Sequence, residues 1–150
     1  MQRHILVTGG CGYIGSHACV LLLEQGYLVT VIDNLSNSSP IALQRVSELT
    51  GQSVQFIQGD LQDQKILSEV FSANHFDAVI HFAGLKAVGE SVEIPIKYYK
   101  NNVVGTINLL EAMQASKTKT LIFSSSATVY RVPQSLPISE RAPRGANNPY

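Results

Sequence analysis

Short apolar runs recur along the chain. "HILVTG" (4–9), "YLVTVID" (27–33), "SVQFIQG" (53–59), "DAVIHFAG" (77–84) and "KTLIFSS" (119–125) are each bounded by Gly, Asp or Ser. Runs this short and rich in Val and Ile predict buried strands. Between them the apolar spacing turns helical. Residues 14–25 place Ile14, Ala18, Leu21 and Leu22 on one expected face, with Gly26 as the C-terminal cap. Residues 41–49 and 64–72 predict two shorter amphipathic helices. The longest helix is expected over 95–116, with Pro95 in its first turn and Val103, Ile107, Leu110 and Met113 on its apolar face.

Strand and helix alternate without a linker or low-complexity segment. That order predicts an α/β fold, a doubly wound parallel sheet with helices on both faces. The pattern stops at Arg131. "RVPQSLPISERAPRGANNPY" carries four prolines and no periodicity, so it reads as an ordered loop or a frayed tail. The expected organisation is a Rossmann-type dinucleotide-binding domain over 1–130, then an irregular segment over 131–150.

Composition narrows the function classes. Lys plus Arg and Asp plus Glu number 11 each, so the net charge is zero. That balance argues against nucleic acid or an anionic membrane as the main partner, because both need a basic surface. No apolar run reaches the ~18 residues of a membrane span, and the N-terminal run is too short for a secretory signal. A cytoplasmic location is the expectation. Cys11 and Cys19 match no zinc or thiol-redox spacing and read as packing residues. No metal site is expected. His81 lies inside an apolar strand and reads as a packed, hydrogen-bonded histidine. His4, His17 and His75 are scattered and receive no role.

The densest signal is "VTGGCGYIGSH" (7–17). Gly10, Gly12 and Gly15 fit G-x-G-x-x-G, and Gly9, Gly12 and Gly15 fit a wider G-x-x-G-x-x-G. Both fall between the first strand and the first helix. Glycines there permit a tight turn and a close backbone approach, and the helix N-terminus offers free N–H groups to a pyrophosphate. The second strand ends at Asp33, where a carboxylate would accept from the adenosine ribose hydroxyls. A carboxylate there repels a 2′-phosphate, which favours NAD over NADP. The bland reading is a plain glycine-rich turn; strand, glycines, helix, strand and acid in this order outweigh it.

"TGGCGYIGSH", "HFAGLKAVGES" and "FSSSATVY" resemble the extended short-chain dehydrogenase/reductase superfamily, and within it the UDP-glucose 4-epimerase family. The resemblance covers all 150 residues. It implies interconversion of UDP-glucose and UDP-galactose, NAD as cofactor and a homodimeric parent enzyme. A hydride would pass from sugar C4 to NAD⁺ while a tyrosine base takes the hydroxyl proton. The 4-keto sugar would then turn over and regain the hydride on its other face. The resemblance assigns the pyrophosphate to Gly9, Gly12, Tyr13, Ile14 and Gly15. Asp33, Asn34, Leu35, Ser36, Asn37 and Ser38 would surround the ribose, and Asp60 and Leu61 the adenine. Phe82, Ala83, Gly84, Lys86, Asn101 and Ser124 would line the remaining cofactor, with Ser126 and Tyr150 as the catalytic pair.

Each assignment has a bland counterpart. Asp60 and Asn101 suit helix caps or solvated positions, Lys86 a surface charge, Ser124 to Ser126 a polar turn, and Ile14 and Phe82 the core. A free phenol titrates near ~10, so Tyr150 would need cations beside it to act as a base. In the family pattern Tyr-x-x-x-Lys that lysine would fall after Tyr150. The expectation is therefore an amino-terminal portion, inactive alone, without the substrate half. Arg131 stands where many relatives have glycine. A nucleotide-sugar 4,6-dehydratase is the rival within the superfamily, but dehydratases carry Thr-Asp-Glu where this chain has Ser126-Ala127-Thr128. A non-catalytic NAD-binding module is the alternative from another class.

Overall fold

The computed structural model describes residues 2–131 and 135–150. Five strands form one parallel sheet: β1 (His4–Thr8), β2 (Leu28–Asp33), β3 (Gln55–Gln58), β4 (Ala78–His81) and β5 (Leu121–Phe123), in the order β3-β2-β1-β4-β5. Each is shorter than its apolar run: Gly9, Gly59, Asp77 and Ser124 fall outside the sheet, while Asp33 remains the last residue of β2. The helices are α1 (Tyr13–Glu24), α2 (Ile41–Thr50), α3 (Gln64–Ala73), α4 (Val88–Glu93), α5 (Pro95–Tyr98) and α6 (Gly105–Ala115). The doubly wound α/β expectation is met.

Alternation along the central strand divides the core in two. Leu6 packs with Ile32, Leu67, Phe71, Val79, Leu109 and Met113 under α3 and α6. Ile5 and Val7 pack with Cys19, Leu23, Val29, Val31, Leu43 and Val46 under α1 and α2. Cys11 and Cys19 are buried free thiols, each pushed up to about 12, chiefly by burial. At neutral pH both are protonated packing groups, as expected.

Two helical expectations need correction. The buried face of α1 is Gly15, Cys19 and Leu23, whereas Ile14 and Leu21 point outward. The helix is rotated because a glycine, not a larger apolar residue, makes the closest approach to the loop before it. The long helix is not continuous. It runs as α5, a π-helical segment (Tyr99–Val104) and α6, and α4 precedes it where no helix was expected. Its buried face carries Leu109 and Met113, while Val103, Ile107 and Leu110 are exposed. The helix bears two apolar stripes, and spacing alone gives no reason to choose between them. In the irregular segment, residues 132–134 lie outside the described residues. Arg144 makes an antiparallel bridge to Tyr130. Gly145 N–H donates to Val129 O at 3.0 Å and Arg131 N–H to Pro143 O at 3.2 Å. The described part of that segment is thus folded back on the turn Ala127–Val129.

Candidate functional site

The strand order reverses direction between β1 and β4, and such a switch point opens a crevice at the carboxyl ends of the strands. A cleft of about 300 Å³ lies there. That is at the lower end of the roughly 300–1,000 Å³ usual for ligand pockets.

Its first wall is the glycine loop. Gly9 has φ 71°, and a Cβ there would stand 2.7 Å from Ala83 N. Gly15 faces inward: a Cβ on it would overlap Gly9 O and lie 2.8 Å from Gly10 Cα. Gly12 differs. Its backbone is extended (φ −77°, ψ 173°), and an added Cβ would meet only Gly9 O, at 3.3 Å. The internal demand is slight, since only Gly9 O would have to give by a few tenths of an ångström, and the rest of the space beside Gly12 belongs to the cleft. Gly10 packs against Val31 and is not on the cleft wall. The wider spacing, Gly9-Gly12-Gly15, is therefore the one that lines the site, with Tyr13 and Ile14 on the same wall.

The second wall is the end of β2. Asp33 is 8% exposed. Its Oδ2 accepts from Cys11 N–H at 3.0 Å, and its Oδ1 from Leu35 N–H at 2.9 Å and Ser38 Oγ–H at 2.8 Å. One carboxylate thereby joins the glycine loop to the loop after β2, and charge-assisted bonds of this kind are the stronger ones. Asn34, Ser36, Asn37 and Ser38 line the cleft beside it. Leu35 does not: with φ 58° its side chain turns into the apolar layer under α1 and α2. Asn34 Nδ2 donates to Asp60 Oδ2 at 2.9 Å, and Gln62 N–H donates to Asp60 Oδ1 at 2.8 Å. Asp60 thus braces the loop after β3, and the cap of α3 is Asp63. Asp60 and Leu61 both line the cleft.

The third wall follows β4. Phe82, Ala83, Gly84 and Lys86 line it, and Asn101 reaches it from the π-helical segment. Asn102 clamps this loop from both sides. Its Oδ1 accepts from Leu85 N–H at 2.8 Å and its Nδ2 donates to Leu85 O at 2.9 Å. The same Oδ1 accepts from Asn101 Nδ2 at 2.8 Å. A π segment widens the helix by one residue, a device that recurs at functional sites. Here neighbouring asparagines meet the loop and each other.

Ser124, Ser126 and Tyr150 stand apart from this cleft. Ser124 N–H donates to His81 O at 3.2 Å. Ser126 Oγ accepts from Thr128 N–H at 3.1 Å and lies 2.9 Å from Thr128 Oγ1, capping the turn Ala127–Val129. Tyr150 is half-buried, and its N–H donates to Asn148 Oδ1 at 2.9 Å. Sequence reasoning missed Ile32, Gly59, Leu85 and the clamp Asn102. Gly59 had a signal available, because it ends the third apolar run; in the fold a Cβ there would stand 2.8 Å from Ile66. Among the described residues no helix is long and apolar enough to cross a membrane.

A doubly wound sheet with a glycine-walled crevice at its switch point is a Rossmann-type domain of the extended short-chain dehydrogenase/reductase class. The chain belongs to the GDP-mannose 4,6 dehydratase family, whose profile matches residues 6–150. It is 60% identical over 146 residues to the UDP-glucose 4-epimerase of Bacillus subtilis, covering 97% of this chain and 43% of that protein. With UDP-glucose 4-epimerase 2 of Arabidopsis thaliana it shares 56% over 153 residues, covering 44% of that protein. The solved Bifidobacterium longum UDP-glucose 4-epimerase, in complex with NAD⁺ and UDP, superposes with a TM-score of 0.96 at 52% identity, covering 99% of this chain and 44% of that one. The chain thus spans less than half the length of these relatives.

Proposed function

We propose that this chain is the NAD-binding part of a UDP-glucose 4-epimerase, interconverting UDP-glucose and UDP-galactose in galactose metabolism. The observation that carries the reading is the cleft space left open beside Gly12, which fits a pyrophosphate on the N-terminus of α1. Asp33 supports the same ligand. Its acceptor oxygens border the cleft where ribose hydroxyls would donate, and its charge opposes a 2′-phosphate. When bound, NAD supplies the hydride acceptor and donor.

In this reading Gly9, Gly12, Tyr13, Ile14 and Gly15 hold the pyrophosphate. Asn34, Ser36, Asn37 and Ser38 enclose the ribose through side chains and Leu35 through its backbone, while Asp60 and Leu61 flank the adenine. Phe82, Ala83, Gly84, Lys86, Asn101 and Ser124 hold the nicotinamide half. Ser126 hydrogen-bonds the sugar oxygen, and Tyr150 takes its proton. A dehydratase outcome is disfavoured because expelling a hydroxyl needs an acid near it, and the turn after Ser126 offers only Ala127, Thr128 and Val129. Two buried free thiols suit a reducing cytoplasm. The exposed stripe Ile96, Val103, Ile107 and Leu110 suits a second copy of the chain.

The test is a calorimetric titration of residues 1–150 with NAD⁺ and NADP⁺, beside a coupled assay for UDP-galactose conversion. The expected result is NAD⁺ binding in preference to NADP⁺, with no turnover by these residues alone. Turnover alone would place base and sugar site within them; absence of dinucleotide binding would overturn the reading.

A further inference from the structure

His81 is 3% exposed and plays no part in the cleft wall, yet both ring nitrogens are engaged. Nδ1 lies 2.6 Å from Thr8 Oγ1 and Nε2 lies 2.9 Å from Thr106 Oγ1. The protons along this thread can be ordered from its ends. Thr106 Oγ–H donates to Asn102 O at 2.6 Å, and a carbonyl can only accept. That uses the one hydroxyl proton of Thr106, so Nε2 must be the donor to it. Nδ1 is then an acceptor, and Thr8 Oγ–H donates to it. Thr8 Oγ in turn accepts from Ala83 N–H at 3.2 Å. A second proton on the ring would leave the Thr8 hydroxyl proton without a partner in the core, which burial penalises.

We propose that His81 is a positioning residue, a neutral Nε2–H imidazole that locks the loop after β4 to the π-helical segment carrying Asn101 and Asn102. One end of the thread holds Ala83, which packs directly on Gly9 of the glycine loop. The other end holds the carbonyl of Asn102, whose side chain clamps Leu85. Both elements of the third wall are therefore set by one buried ring. Burial, and secondarily the charge of Lys86, pushes the imidazole down to about 4, so the neutral form persists across the physiological range. The effect on ligand rests on the dinucleotide reading above; the proton order does not.

Two measurements test it. Nitrogen NMR of the ring should show the neutral Nε2–H tautomer in the wild type. Thr106→Val removes the acceptor at Nε2. It should shift the ring toward Nδ1–H, move the Ala83 amide resonance, and weaken NAD⁺ binding about fivefold, the worth of one neutral hydrogen bond. Thr106→Ser should restore all three. A purely structural role would lower the melting temperature of Thr106→Val and leave its NAD⁺ affinity alone, which would overturn the positioning role. A wild-type Nδ1–H tautomer would overturn the proton order. If the wild type fails to bind NAD⁺ but shows the Nε2–H tautomer and the Ala83 shift, the lock stands and the dinucleotide reading falls.

Discussion

A methyl group placed on Gly12 and one placed on Gly15 should have opposite consequences, although the residues stand three apart in one loop. At Gly15 the new Cβ overlaps Gly9 O and sits 2.8 Å from Gly10 Cα, all backbone, so α1 must lift off its own loop. Overpacking of that kind costs about 1–3 kcal/mol, and the gain in helix propensity returns about 0.5–1 kcal/mol. Backbone cannot rotate away, so the upper part of that range, about 2–3 kcal/mol, applies, and the net loss of about 1–2.5 kcal/mol corresponds to roughly 2–10 °C in Tm for a chain of this size. At Gly12 the only neighbour is Gly9 O at 3.3 Å, and the backbone is one any residue adopts. The slight crowding is offset by the lower entropy of an unfolded alanine, about 0.4–1 kcal/mol. Gly12→Ala should therefore melt within roughly 2 °C of the wild type while losing at least about tenfold in NAD⁺ affinity. Calorimetric melting and NAD⁺ titration of both variants decide it. A Gly12→Ala protein that binds normally, or a Gly15→Ala protein that melts normally, refutes the division of labour drawn from these distances.

Asp33→Asn should narrow the preference for NAD⁺ over NADP⁺ by removing the charge. It should also lower Tm by a few degrees, because three donors lose an ionised acceptor, and paired titrations and melts would show both. The His81 ring sits at about 4 in the fold against 6.5 when unfolded. Between those values the unfolded chain binds a proton that the native chain refuses, so stability falls as pH drops. The loss between pH 7 and pH 5 should be about 2 kcal/mol; denaturant melts that show no loss over that span would contradict the neutral ring. Ile107→Glu should abolish self-association in sedimentation velocity runs without changing the melt, and an unchanged sedimentation profile would clear the exposed stripe of that role.

Most of the cleft was legible because its makers sit where a strand ends. Glycines after β1, an aspartate closing β2 and "FAG" after β4 follow from chain order alone. What periodicity could not give was the partner of each stripe. Ile107 and Leu110 obey helical spacing as well as Leu109 and Met113 do, and only the sheet beneath α6 selects the second pair. Nor does spacing reveal a π segment, so Asn101 received a role from the sequence and Asn102 received none. Leu35 shows a related limit: its neighbours' polar side chains line the cleft while its positive φ sends its own inward.

The edge strand has a practical consequence. β5 pairs with β4 on one side and with no strand on the other among the described residues, and its Ile122 and Phe123 are each 55% exposed. Bare backbone donors and acceptors beside two greasy side chains make a template on which further copies can stack. Concentration, more than temperature, is therefore the variable to watch when the chain is produced alone, and a lysine in place of Ile122 is the change that would keep such preparations clear.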